Sequence, residues 1–132
     1  MAKEKFKVWY DEKEGVLQTE IYETFDVETL NQYFTEVSKY TPEQQSYFIG
    51  WMYDDAQKMP DKEARRIAKE KIKDLHFKKV VAIGAKPVIR MVYTIVITAI
   101  GRKKDFFFCD TVEEGLTWLR EQKNLAKKAA SL

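Results

Sequence analysis

The chain has 132 residues, 45% of them apolar and 33% charged, with 23 basic and 21 acidic side chains and a net charge of +2. That length suits one domain, 1–132, with a core that needs neither disulfide nor metal, and the composition is neither that of a disordered chain nor that of a membrane-embedded one. Balanced charge gives no field to steer nucleic acid, and the single Cys109 points to a reducing, cytoplasmic compartment.

The chain opens with Phe6, Val8 and Tyr10 alternating with Lys5, Lys7 and Trp9, the period-two pattern of a half-buried strand. A turn ending at Gly15 leads to a second alternating run, Val16 to Tyr22, which predicts an antiparallel hairpin. Asp26 is a good helix cap, and Val27, Leu30, Phe34 and Val37 form one apolar stripe of a helix from about Val27 to Lys39. The apolar run Tyr47–Tyr53 fits a central strand covered on both faces. A loop with Pro60 precedes a charged helix from Asp61 to Leu75, followed by a strand over Lys79–Ile83.

The segment Val88–Ile100 is β-branched enough for a strand, but it is 13 residues long, with Pro87 before it and Gly101 after it. Those boundaries predict a helix, too short to span a bilayer. Asp105–Cys109 reads as the last strand. Thr111 and Glu114 make a capping box for a final helix whose basic end, 123–132, is expected to fray. The order β-β-α-β-α-β-α-β-α predicts an α/β fold with a mixed, mostly parallel five-stranded sheet and helices packed on it.

This order, with Phe6-Lys7-Val8-Trp9-Tyr10-Asp11, Gly15-Val16-Leu17, Lys79-Val80-Val81-Ala82-Ile83-Gly84, Val88-Ile89-Arg90-Met91, Phe107 to Asp110 and Glu113-Glu114-Gly115-Leu116-Thr117-Trp118-Leu119, resembles the STAS-domain superfamily in its SpoIIAA-like branch. The likeness covers nearly the whole chain. It implies a regulatory, protein-binding module, because relatives include anti-sigma-factor antagonists switched by phosphorylation of a Ser after the third strand. The matching stretch here, Asp54 to Ala64, holds no Ser, Thr or Tyr, so that switch does not carry over. The branch is also similar in architecture to lipid-binding Sec14-like domains, which implies lipid or other apolar small-molecule binding as the alternative.

The helix Val88–Ile100 carries the sharpest expectation. If Val88, Val92, Ile95, Val96 and Ala99 face the sheet, then Ile89, Tyr93, Ile97 and Ile100 are left outside. Such a face calls for a homodimer partner, a lipid-like ligand or a membrane surface, unless other parts of the chain cover it. Arg90 and Arg102 flank it as candidate anion or headgroup ligands, against the plainer reading of solvated helix-end residues. Asp54, Asp55 and Asp61 occupy the place of the family's switch loop, where partner contact is a better reading than metal binding. His76 has no evident catalytic companions, Cys109 sits among phenylalanines, and no nucleophile, phosphate-loop or zinc motif occurs. The chain therefore reads as a non-enzyme without cofactor or nucleic-acid partner.

Overall fold

The computed structural model describes residues 4–131, which form a five-stranded mixed sheet and four α-helices. Strands β1 (Phe6–Asp11) and β2 (Val16–Ile21) make the antiparallel hairpin, with Gly15 at φ 66° where a side chain would be strained. Strands β3 (Tyr47–Met52), β4 (Lys79–Ile83) and β5 (Phe106–Cys109) follow in parallel, so the spatial order equals the chain order.

Helices α1 (Val27–Ser38) and α2 (Lys62–Ile72) begin at Asp26 and Asp61, whose carboxylates accept from the amides of Thr29 and Ala64 at 2.8 Å. Helix α3 (Pro87–Ala99) starts on its proline, and Gly101 follows at φ 76°. Helix α4 (Val112–Ala130) is capped by Thr111. It runs to Ala130, and every described residue beyond Lys123 is exposed. Lys123 itself is half-buried and donates to the Glu14 carbonyl, tying α4 to the first hairpin.

Strand alternation sorts the core into two layers. On one face Val16, Ile49, Val81, Ile83 and Cys109 meet Leu119 of α4. Gly115 permits that close approach, since a Cβ there would lie 2.7 Å from Val81 Cγ1. On the other face Leu17 and Phe48 meet Val37 of α1, with Ile72 of α2 beside them, while Met52 and Phe108 meet Ile89 and Tyr93 of α3. Helices α1 and α2 pack on each other, whereas α2 and α3 make no comparable contact. The sheet face beneath those three helices is where the packing is incomplete.

Candidate binding cavity

The central floor of that face is built from small residues. Register pairs Thr19 with Gly50 and Gly50 with Ala82, so three neighbouring strands present little side-chain volume at one level. A Cβ placed on Gly50 would meet only the Val81 carbonyl, at 3.9 Å. No helix side chain descends to fill the gap. Ala64 and Ala68 face it from α2, where larger residues would close it.

The result is a cavity of about 210 Å³ between the sheet and α1, α2 and α3. It follows the strands from Phe48 to Met52, a run of about 13 Å at strand spacing. Phe6, Phe25 and Tyr33 cluster with ring centroids 5.4 to 5.6 Å apart, Phe6 edge-on to the other two, beside its α1 wall. Phe77 and Phe106, 5.4 Å apart, border its other end. Protein interiors hold few voids larger than a water molecule. Left sealed and dry, 210 Å³ would cost on the order of 5 kcal/mol, at about 24 cal/mol per Å³. That is a large share of the roughly 5–15 kcal/mol that holds a domain together.

Polar groups in the lining are few. Thr19 Oγ1 and the Tyr33 hydroxyl bond each other at 3.2 Å. The Tyr93 hydroxyl has no hydrogen-bond partner among the described residues, yet no sealed-off polar side-chain atom there lacks one. Its oxygen is therefore not sealed off, and Tyr93 is one of the residues that line the cavity. Burial, with a smaller contribution from nearby Tyr33, pushes the Tyr93 hydroxyl up to about 12, so it stays protonated and able to donate. Burial raises Tyr33 as well, opposed by the bond with Thr19. Arg65, half-buried on the first turn of α2, lines the end nearest Thr24 and Pro60 and makes no ion pair or side-chain hydrogen bond among the described residues. That end lies at the C-terminal edge of the strands, where open α/β sheets take ligands.

Helix α3 is turned relative to the sequence expectation. Ile89 and Ile97 are 2% and 3% exposed, Tyr93 lines the cavity, and Ile100 is half-buried at the helix end. The outward residues are instead Val88, Met91 and Ile95, at 57%, 57% and 64% exposure. A helix apolar on every side has no preferred phase, so two stripes fit the same spacing. Arg90, Thr94 and Thr98, spaced four apart, run along its flank: Arg90 and Thr94 are half-buried and Thr98 is exposed, so this polar row does not coincide with the outward face.

The two arginines are engaged and make no free anion site. Arg90 donates to the Ala85 carbonyl and to Asp110, both at 2.7 Å. Arg102 bonds Asp105 and the Phe77 carbonyl and lies 4.0 Å over the Phe77 ring. Burial opposes charge on Asp105, but bonds from Lys79 and Arg102 outweigh it and hold the carboxyl below its usual value.

In the switch-position loop Asp54 and Asp55 are exposed, while Asp61 is occupied as the α2 cap. Sequence reasoning missed Gln57, whose amide joins this loop to the β4–α3 turn through the Met52 and Gly84 carbonyls and the Lys86 amide. No cluster of three or more potential metal ligands occurs among the described residues. His76 is exposed. Cys109 is buried, and that burial raises its thiol, the opposite of an activated nucleophile. No described helix is long and apolar enough to cross a membrane.

No family model matches the chain, and no curated protein matches it.

Proposed function

We propose that this protein binds an apolar small molecule in the cavity between its sheet and helices α1, α2 and α3. The observation that carries this reading is the small-residue floor, Thr19, Gly50 and Ala82, under a space of about 210 Å³. An apolar cavity of about 150 Å³ suffices for benzene, so this one suits a small aromatic or a single medium-length chain. Native mass spectrometry of protein purified from cells tests it. A bound small mass that disappears in Ala82→Leu is the expected result. A ligand-free mass, with no thermal stabilisation by apolar probes of this size, counts against it.

A second reading has its own observation. Val88, Met91 and Ile95 form an exposed apolar row on α3, which suits self-association, and the STAS resemblance favours a protein-interaction role. Sedimentation at high concentration distinguishes it: a dimer dispersed by Ile95→Lys supports this reading, and a clean monomer counts against it.

A further inference from the structure

We infer that the ligand carries an oxygen acceptor, a carbonyl or carboxyl oxygen, and that the Tyr93 hydroxyl donates a hydrogen bond to it. The inference rests on the cavity reading and deepens it. Filling space over the sheet needs only the aromatic ring of Tyr93. The hydroxyl adds a polar atom to this cavity-lining side chain that is not sealed off and finds no acceptor among the described residues. The other lining hydroxyls are engaged: Thr19 and Tyr33 serve each other at 3.2 Å, and Thr24 bonds the backbone of Lys58. Among the cavity's hydroxyls, that of Tyr93 therefore remains free, with the Arg65 side chain the other donor of the lining unpaired among the described residues. Buried polar groups in native proteins have partners, and an apolar cavity with few polar groups uses them to fix ligand orientation. The phenol is neutral throughout the physiological range because its enclosure opposes ionisation, so it acts as a donor toward an oxygen rather than as an anion toward a cation.

A neutral carbonyl and a carboxylate offer the same acceptor, and Arg65 separates them. Its half-buried side chain lines the cavity without an acidic partner among the described residues. A carboxylate would gain from that guanidinium, whereas a ketone would gain little.

Three matched probes, octane, octan-2-one and octanoate, test this by calorimetric titration of the full chain. Tyr93→Phe is expected to weaken octan-2-one about tenfold, the factor that one lost hydrogen bond of about 1.4 kcal/mol gives, and to leave octane within about twofold. Tyr47→Phe removes a hydroxyl on the opposite face of the sheet, outside the cavity, and is expected to leave the octan-2-one to octane ratio unchanged. Octanoate weakened by both Tyr93→Phe and Arg65→Met would assign the acceptor to a carboxylate. Loss confined to the ketone and to Tyr93→Phe would assign it to a neutral carbonyl, and either result supports the inference. In the unaltered protein, the Cζ resonance of Tyr93 in tyrosine-labelled samples should move further with octan-2-one than with octane. Octane and octan-2-one bound alike, with both indifferent to Tyr93→Phe, would overturn the acceptor while leaving the cavity reading intact. No binding of any probe would overturn both.

Discussion

Gly50 of β3 stands in register beside Ala82 of β4, and a Cβ added to Gly50 would touch nothing but the Val81 carbonyl. Two such small neighbours at the middle of a sheet face leave a space that the helices above do not close.

Substituting Gly50→Val should therefore stabilise the ligand-free protein, contrary to the usual outcome of enlarging a core residue. The added carbons fill existing space, and valine suits a strand better than glycine. A gain of about 1–2 kcal/mol is expected from roughly 0.8 kcal/mol per buried carbon, reduced by fit. Urea unfolding measures it. The same change should cut affinity for apolar probes at least about tenfold, so stability and binding should move in opposite directions.

The orientation of α3 can be checked with one pair of substitutions. Ile89→Ala removes a side chain 2% exposed and should cost about 2–4 kcal/mol. Ile95→Ala, at 64% exposure, should change stability by no more than about 0.5 kcal/mol. Equal costs in denaturant unfolding would contradict the phase described for this helix.

Helix α4 offers a reversal of propensity. Gly115→Ala would ordinarily stabilise a helix by up to about 1 kcal/mol. Here the new methyl would lie 2.7 Å from Val81 Cγ1, a branched side chain with no flexible end to swing away. A loss of about 1–3 kcal/mol in thermal or urea unfolding is expected instead.

The elements were legible from periodicity and punctuation, because those signals are local. Asp26, Asp61 and Thr111 cap their helices, and Pro87 and Gly101 bracket α3 despite its β-branched content. The cavity was not legible, because it depends on which residues of three separate strands share one level. Gly50 and Ala82 lie 32 positions apart, and only the sheet register joins them. Nor was the phase of α3, since apolar residues on every side support either stripe. Asp105, the shared partner of Lys79 and Arg102, joins groups 26 and 3 residues away, and only the nearer pair has a helical spacing that a sequence can suggest.

That carboxylate sets a pH dependence. Asp105 titrates below its ordinary 3.8 in the folded protein because Lys79 and Arg102 outweigh the cost of its burial. The unfolded chain thus binds the proton more readily, so the contribution is present above about pH 4 and is lost as the pH falls through the folded value. Asp105→Asn should cost about 1–2 kcal/mol at pH 7. Between pH 5 and pH 3, both values being chosen conditions on the order of the carboxylate range, its stability should fall less steeply than that of the unaltered chain. Parallel urea titrations of the two proteins test this.

Xenon bears most directly on the cavity, because it enters apolar space without help from any polar group. Methyl spectra recorded under xenon pressure should show saturable shifts at Leu30, Val92 and Ile97, which surround the Gly50–Ala82 floor, and Gly50→Val should abolish them. An absence of saturable shifts at these methyls in the unaltered protein would mean that the helices close on the sheet in solution and that no binding space exists.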